Sequence, residues 1–407
     1  MIRRIEIENF CSFRDVAEVD FRTGSKTPTD HSFVKSITGD QISVLMGVFG
    51  PNASGKTNLL KALAFLAFFL RSSYKARMPE GGVPVDPFFG QSKQPVRLQL
   101  EFEGYGNAYR YQLRLSPKTV LEEKILVRNP KTGIFRMFLS RQAGKTQPLI
   151  EGGEGAPDLK ALRHLLRDRP DASLLSAGLV TGEEAFQRIH DALGIIETNV
   201  DRFGKTEATI VSRNQEIFDC ARYFQDNAHF IAQVEERLRG ADLGIERFFI
   251  EEREFIDEKG KTKRLPFPFV THRSGGESYV LPLAYESSGT KRLFTLLRAF
   301  LPVLTDGGVA VIDEMEADLH PHLIPLLLDL FVDKDTNPKR AQLLFTCHHV
   351  EILNHLSKEQ IILVEKDKDN VSHARRLSEI KGVRREENFF ANYNAGRYDA
   401  VPEPIMF

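Results

Sequence analysis

The chain has 407 residues, of which 42% are hydrophobic and 27% charged, and its formal net charge is −1. These values are ordinary for a soluble globular protein. The balanced charge gives no global reason to expect a nucleic acid or membrane partner, although a local basic patch is compatible with it. The three cysteines are far apart and lack metal-ligand spacing, which favours a reducing compartment over a disulfide framework.

The sequence shows no recognisable targeting or membrane segment. The first residues lack the apolar core of a signal peptide. The most apolar run, residues 59–70, is too short to span a bilayer and contains Lys61. We therefore predict a cytoplasmic protein without a membrane partner.

The N-terminal region predicts two short strands within residues 1–22, a loop over 23–40 and a buried strand over 42–49. The next residues fit the pattern G-x-x-x-x-G-K-[ST], and an apolar helix is predicted over 58–70. A glycine loop between a strand and a helix aims backbone N–H groups at polyphosphate. Lys56 would reach the β- and γ-phosphates, and the Thr57 hydroxyl would bind Mg²⁺. A structural turn is the alternative.

Along the middle of the chain the predicted secondary structure changes twice, from strands to helices and back to strands. Period-two runs at 96–102 and 109–115 predict a hairpin, and shorter strands are predicted at 125–128 and 135–139. Residues 158–240 are mostly helical in pattern, with examples at 158–167, 182–193 and 214–239. Sustained heptads are missing, so we predict a helical insertion and not a long coiled coil. Residues 245–285 return to a β pattern.

The C-terminal region alternates helices with strands predicted at 309–312, 342–346 and 361–365. This order favours a parallel α/β core whose two halves lie at the two ends of the chain and are split by residues 96–285. We expect an N-terminal part over 1–140, a mostly helical lobe over 141–244 and a C-terminal part over 245–407.

Two carboxylates end the strand predicted at 309–312. Asp313 would lie near Mg²⁺, directly or through water, and Glu314 would lie beside the γ-phosphate as the base that polarises water. The alternative for this pair is the solvated acidic end of a buried strand. The phosphate loop upstream favours the catalytic interpretation.

A serine and glycine run opens the helix that precedes this strand. Small residues at Ser287, Ser288 and Gly289 leave the amides of a helix N-terminus open to an anion, whereas the alternative is an ordinary N-cap by Ser288. The strand at 342–346 leads to His348, whose neutral imidazole would hydrogen-bond a γ-phosphate oxygen. A lone histidine is more often structural, and His349 is the less favoured neighbour.

Taken in chain order, these motifs resemble those of the ATP-binding-cassette ATPases: the phosphate loop, the serine–glycine signature, the Asp-Glu strand, residues 317–321 and the histidine. The nearest branch is the group of chromosome-maintenance, recombination-repair and overcoming-lysogenization-defect proteins. Residues 286–293, 318–321 and the tail at 392–397 with Pro402 are similar to stand-alone bacterial ATPases of abortive-infection and anti-phage defence operons. The resemblance covers both ends of the chain well and residues 140–270 only by position.

The resemblance implies a fold and a role for each matching residue. The fold is an α/β ATPase head with a mixed sheet core, an antiparallel β subdomain and a helical insertion. Catalysis is implied for Glu314, His348 and Lys56, and Mg²⁺ binding for Thr57 and Asp313. The implied ATP-binding residues are Gly50, Asn52, Ala53, Ser54, Gly55, Lys56, Thr57, Asn58, Ser287, Ser288, Gly289 and Asp318. Ser288 stands where many members have glycine, and neither Gln99 nor Gln112 is convincingly placed as the glutamine ligand of the metal.

The resemblance also implies how the protein works. ATP and Mg²⁺ are its cofactors, and ATP is hydrolysed to ADP and phosphate. The serine–glycine signature closes over the γ-phosphate of a second subunit, so a homodimer or a higher homo-oligomer is expected. In phage defence the ATPase would act with a separate effector, a nuclease or toxin encoded nearby, because the residues after His349 are too few for the nuclease domain of lysogenization-defect relatives.

A DNA-repair or recombination ATPase that binds DNA directly is the competing function. Three basic clusters would carry it, but such clusters are usually solvated faces: Arg163, Arg167, Arg169; Lys259, Lys261, Lys263, Arg264; and Arg375, Arg376, Lys381, Arg384, Arg385. The carboxylates Glu365, Asp367 and Asp369 are interleaved with lysines and favour a solvated strand end over a metal site. A transporter motor, a kinase and a GTPase fit less well.

Overall fold

A computed structural model of the protein describes residues 1–24, 27, 30–76, 81–144, 147–205, 210–241, 244–256 and 262–398. Within these residues the helices are α1 (Lys56–Ser72), α2 (Lys160–Arg167), α3 (Leu174–Thr181), α4 (Glu184–Leu193), α5 (Ile210–Asp226), α6 (Ile231–Ala241), α7 (Ser288–Asp306), α8 (Leu323–Val332) and α9 (Phe389–Asn394). None of these helices is both long and apolar enough to cross a membrane.

The strands of the described residues fall into three stretches of the chain. The first stretch contains β1 (Ile2–Glu8), β2 (Ala17–Asp20), β3 (Arg22–Thr23), β4 (Phe33–Lys35), β5 (Gln41–Ser43) and β6 (Leu45–Phe49). The second contains β7 (Val96–Gly104), β8 (Asn107–Leu115), β9 (Val120–Arg128), β10 (Phe135–Gln142), β11 (Leu149–Gly152), β12 (Ile195–Thr198), β13 (Val200–Asp201) and β14 (Gly204–Lys205). The third contains β15 (Ile245–Ile256), β16 (Thr262–Ser274), β17 (Glu277–Pro282), β18 (Gly308–Ile312), β19 (Gln342–Thr346), β20 (Ile361–Lys366) and β21 (Ser372–Arg376).

The core sheet joins the two ends of the chain, as the sequence predicts. Its strand order is β12-β18-β19-β6-β20-β21, so the N-terminal strand β6 lies between two C-terminal strands. The pairs from β12 to β20 are parallel, and β21 is antiparallel to β20 at one edge. The predicted strands at 309–312, 342–346 and 361–365 are confirmed within one residue at each end.

The core strands are mostly apolar because both faces of their sheet are covered. Alternate side chains point to opposite faces, so Met46 and Val48 join one apolar cluster and Leu45 and Phe49 join the other. The first cluster includes α1 and the antiparallel sheet. The second includes α7 and α8. The phosphate-loop helix is therefore fixed between the two sheets.

The antiparallel sheet has the strand order β11-β10-β9-β8-β7-β1-β2. The hairpin predicted at 96–115 is confirmed as β7 and β8, with Val96 opposite Leu115 and Gly104 opposite Asn107. A separate antiparallel unit of β15, β16 and β17 confirms the β pattern of 245–285.

The structure corrects three details of the predicted elements. The loop expected over 23–40 contains the short strand β4. The helix expected over 214–239 is interrupted near Asn227 and forms α5 and α6. The core sheet also takes a strand from the region thought to split it, because β12 pairs with β18. With only four residues, β12 shows too little apolar–polar alternation to be recognised as a strand within a region whose pattern is mostly helical.

A buried ion pair ties the antiparallel sheet to the segment before α3. Arg141 on β10 and Glu123 on β9 are 1% and 0% exposed, and Nη1 of Arg141 lies 3.6 Å from Oε2 of Glu123. Arg141 also donates to the carbonyls of Ala172 and Pro170. Burial raises the pKa of Glu123 to about 7. Because the folded chain holds this proton more tightly than the unfolded chain, the contribution of Glu123 to stability falls as the pH rises from 4.5 towards 7.

Replacing Arg141 by methionine is expected to lower the free energy of unfolding by about 3–5 kcal/mol, because it removes the cation beside a buried carboxyl group and the donor to two backbone carbonyls. Urea denaturation followed by circular dichroism measures the change. Arg136→Met on the same strand is the control, since Arg136 is 59% exposed and its ion pair with Glu154 is solvated. Equal unfolding midpoints for the two variants would contradict a stabilising role for the buried pair.

Candidate nucleotide site

The carboxyl ends of the parallel core strands lie at one edge of the sheet, and most of the predicted site residues follow these ends. Gly50 follows β6, Asp313 follows β18 and His348 lies two residues beyond β19. In open α/β sheets ligands bind at this edge. The topology therefore brings together residues that lie up to about 300 positions apart in the sequence.

Two glycines of the phosphate loop are required by its conformation and its packing. Gly50 has φ 150° and Gly55 has φ 116°, where side chains are strained. A Cβ on Gly50 would lie 2.0 Å from the carbonyl oxygen of Val364, and one on Gly55 would lie 2.5 Å from Oγ of Ser372. The loop therefore fits closely against β20 and β21, with the first amides of α1 at its centre.

Lys56 folds over the loop in this structure. Its Nζ donates to the carbonyls of Gly50 and Pro51, both at 2.9 Å, and the residue is only 6% exposed. Burial lowers the pKa of Lys56, and the nearby carboxylates, Asp313 first among them, act in the opposite sense. A buried ammonium whose hydrogen bonds go to neutral carbonyls is poorly compensated, so an entering phosphate would be a better partner.

The predicted metal ligands are in direct contact. The Thr57 hydroxyl donates to Oδ2 of Asp313 at 2.8 Å, and the Thr346 hydroxyl donates to Oδ1 at 2.6 Å. Hydroxyl and carboxylate oxygens suit Mg²⁺, which binds through one or two protein oxygens and keeps phosphates and water as its other ligands. The donor set therefore fits Mg²⁺ at Thr57 and Asp313. Bound there, the ion would neutralise charge on the phosphates.

Glu314 lies on a turn with φ 47° beside this pair. Its amide donates to Oγ1 of Thr346 at 2.7 Å, which fixes the turn against β19. Oε2 accepts from Nζ of Lys205 at 2.6 Å, and Oε1 lies 3.9 Å from Nε2 of His348. The hydrogen bond from Lys205 lowers the pKa of Glu314. A low pKa keeps the carboxylate ionised, which is the form that accepts a proton from water.

The two neighbouring histidines have different environments in the structure. The His348 ring is partly exposed and faces Glu314, and its backbone amide donates to Oε1 of Glu316 at 2.8 Å. The Nδ1 atom of His349 is buried, with no hydrogen-bond partner among the described residues. The ring placed toward the site is therefore that of His348.

The serine–glycine run begins α7, and its cap differs from the one considered in the sequence. Ser287, not Ser288, is the N-cap: its Oγ accepts from the amide of Thr290 at 3.1 Å. Ser287 and Ser288 are both exposed. A Cβ on Gly289 would lie 3.1 Å from the carbonyl oxygen of Asp318, which has φ 63°. The signature and the loop after β18 therefore form one surface.

Asn199 is a site residue that the sequence patterns did not reveal. It follows β12, and its side-chain amide holds both backbone groups of Asp313: Oδ1 accepts from the Asp313 amide at 2.7 Å, and Nδ2 donates to its carbonyl at 2.9 Å. The apolar run 195–196 after a glycine is the only local signal for this strand. Lys205 and Arg292, which donates to the carbonyl of Glu314 at 3.3 Å, were also missed.

Several other sequence candidates form contacts away from the phosphate loop. Gln112 donates to Gln99 across β7 and β8 at 2.8 Å. Asp367 accepts from Nε2 of His373 and from the turn that follows it, and the described residues contain no group of three or more metal-binding side chains.

The basic clusters are partly used within the fold. Arg163 and Arg169 donate to backbone carbonyls of neighbouring segments, Arg376 donates to the carbonyl of Arg22, and Arg385 pairs with Glu359. Lys259, Lys261 and Pro402 lie outside the described residues, as does the side chain of Lys263. The arginines with internal partners are less available to phosphates of DNA.

A mixed sheet with this strand order, carrying the phosphate loop on β6 and the Asp-Glu pair on β18, defines an ABC-type P-loop ATPase fold. The chain belongs to the family described as "AAA domain, putative AbiEii toxin, Type IV TA system", whose model matches residues 45–354. The predicted relationship to abortive-infection proteins is thereby confirmed. No curated protein matches the chain.

The solved structures that match the chain include the SMC head domains of two organisms. The SMC head domain from Thermotoga maritima is 14% identical, with 92% of this chain and 98% of that chain covered and a TM-score of 0.43. The Smc head domain from Pyrococcus furiosus, with an extended coiled coil and bound to the C-terminal domain of ScpA, is also 14% identical. The match covers 92% of this chain and 95% of the Pyrococcus furiosus chain, with a TM-score of 0.39.

Proposed function

We propose that this protein hydrolyses ATP to ADP and phosphate and uses the cycle as a conformational switch. The observation that carries the proposal is the convergence of Lys56, Thr57, Asp313 and Glu314 at one edge of the core sheet. Lys56 and the first amides of α1 bind the phosphates, and Asn199 and Thr346 orient Asp313. Glu314 takes the proton from the attacking water.

The surface formed by Ser287, Gly289 and Asp318 supports a second copy as the partner. Ser287 and Asp318 are exposed, and the hydroxyl of Ser287 bonds to Thr290 within its own helix. Two copies in head-to-tail contact would place the start of α7 of one chain over the γ-phosphate held by the other. Because the γ-phosphate then contacts both chains only when they are closed, ATP favours the closed state and hydrolysis releases it.

Mixing two inactive variants tests this composite site. Lys56→Ala removes the phosphate lysine, and Ser288→Glu places a carboxylate where the partner's γ-phosphate would lie, while an acidic residue at a helix start preserves α7. In a mixed dimer one site carries both changes and the other carries neither. We expect the mixture to recover ATPase activity, to about a quarter of the parental rate for random pairing.

The control for the mixing experiment is Ser278→Glu on the exposed strand β17, which should be active by itself. A Ser288→Glu variant with the parental rate would contradict the composite site, as would a mixture of folded variants that stays inactive.

We further propose that the ATPase is the sensor or scaffold subunit of an anti-phage defence system. Support comes from the abortive-infection family and from the similarity of residues 286–293 and 318–321 to defence ATPases. The effector would be a separate nuclease or toxin. Purification together with the products of flanking genes, with and without ATP and Mg²⁺, tests this proposal, and failure of every flanking product to bind either state would contradict it.

A further inference from the structure

A small hairpin covers the first turn of the phosphate-loop helix. It is formed by β13 and β14, and Val200 anchors it in the apolar cluster beside α1. Gly204 has φ 126°, and a Cβ at this position would lie 3.7 Å from Cγ2 of Thr57 and 3.8 Å from Cε of Lys61. The hairpin backbone therefore runs beside the threonine assigned to Mg²⁺.

The side chain of Lys205, the residue after Gly204, extends from the hairpin to Glu314. Nζ of Lys205 lies 2.6 Å from Oε2 of Glu314, and the lysine side chain is 21% exposed. If Glu314 is the base, a γ-phosphate bound by Lys56 and Thr57 must lie close enough to it for a single water molecule to contact both. The ammonium of Lys205 is thus already at the edge of the space that the γ-phosphate enters.

We propose that Lys205 is a catalytic residue that moves from Glu314 to the γ-phosphate when ATP binds. This inference rests on the proposed function, because it takes Glu314 as the base. The move adds a cation supplied by the same chain to the transferring phosphoryl group, and it frees a carboxylate oxygen to accept a proton from water.

Charge and exposure favour this exchange of partners. The Glu314 side chain is 43% exposed, and an ion pair with a solvated partner contributes little to stability, so the pair with Lys205 is easily broken. A γ-phosphate offers more negative charge and three acceptor oxygens to the same ammonium. The hairpin needs no large displacement, since both partners lie within reach of one flexible lysine side chain.

During hydrolysis the water oxygen forms a bond to the γ-phosphorus, and the bond from that phosphorus to the β–γ bridging oxygen breaks. The electron pair of the broken bond goes to ADP, and the proton of the water goes to Glu314. Negative charge is spread over the γ-oxygens in the transition state, where an additional cation stabilises it. Lys205 is therefore expected to affect both the binding of the γ-phosphate and the rate of its transfer.

Lys205→Gln tests the proposal, because glutamine keeps a polar side chain without the charge. We expect kcat to fall about 10- to 100-fold. We also expect the affinity for the analogue with NH at the β–γ bridge to fall several-fold, with the affinity for ADP unchanged, because ADP has no γ-phosphate. Lys205→Arg should retain part of the preference for the analogue. Lys61→Gln removes a charge beside the same hairpin without a bond to Glu314, and should behave as the parent.

Three outcomes would overturn the proposal. An increase in kcat for Lys205→Gln would make Lys205 a restraint on the base. An equal loss of affinity for ADP and the analogue would make its role structural, and parental values would give it no role. Failure of the parent protein itself to bind or hydrolyse ATP would instead contradict the proposed function, so the two failures are distinguishable.

Discussion

Replacing Glu314 by glutamine is expected to lower ATP turnover by about 10²- to 10⁴-fold, because an amide does not accept the proton of the attacking water. ATP binding should remain, since Lys56, Thr57 and Asp313 are unchanged and the glutamine Oε1 still accepts from Lys205. A dimer that closes on ATP should then persist. Phosphate release, nucleotide affinity and mass with and without Mg²⁺ and ATP measure the three effects.

The matched control for this variant is Glu351→Gln, an exposed carboxylate close in sequence to the histidine pair and outside the site. It should hydrolyse ATP at the parental rate and dissociate after turnover. Parental turnover in Glu314→Gln would remove the assignment of Glu314 as the base. A monomeric mass in saturating ATP would remove the closed dimer and leave the base assignment intact.

Lys56→Ala should weaken ATP binding by about 10²- to 10³-fold, which corresponds to about 2.7–4 kcal/mol. The lysine is the charged group within the phosphate loop, and its hydrogen bonds among the described residues go to the carbonyls of Gly50 and Pro51. Because burial lowers its pKa, the ammonium gains stability from an anion more than an exposed lysine would. Titration calorimetry with ATP measures the affinity.

Thermal unfolding gives a second measurement for this variant. A ligand that binds only the folded state raises the melting temperature, so ATP should stabilise the parent and leave Lys56→Ala unchanged. Lys61→Ala, five residues later on α1, is the control and should respond to ATP as the parent does. Equal stabilisation of Lys56→Ala by ATP would contradict the role of Lys56.

Two parts of the candidate nucleotide site, the phosphate loop and the Asp-Glu pair, could be predicted because their sequence signals are local. The phosphate loop requires its glycines and lysine at fixed spacing after a strand, and Asp313 follows an unbroken apolar run. The parallel core follows from strands that alternate with helices. These patterns depend on neighbours in the sequence, so one chain is enough to read them.

The residues that were missed depend on contacts between distant segments. Asn199 and Asp313 are 114 positions apart, and Lys205 and Glu314 are 109 apart. The strand before Asn199 has only four residues, and the hairpin of Lys205 has two in each strand. Elements this short have no measurable periodicity, and a polar residue after them looks like any loop residue. Their roles appear only when β12 is placed beside β18.

The position of β6 in its sheet also limits how early the protein can fold during its synthesis. Its neighbours are β19 and β20, so the strand that carries the phosphate loop has neither lateral partner before residue 346 is synthesised and lacks the second one until residue 366. Pairings over such separations are slow to form, because a long segment of chain must be ordered before they can be made. A prematurely terminated product that ends before β19 would contain the whole glycine loop but neither of the strands that pair with β6. The candidate nucleotide site can therefore form only after β20 has been synthesised.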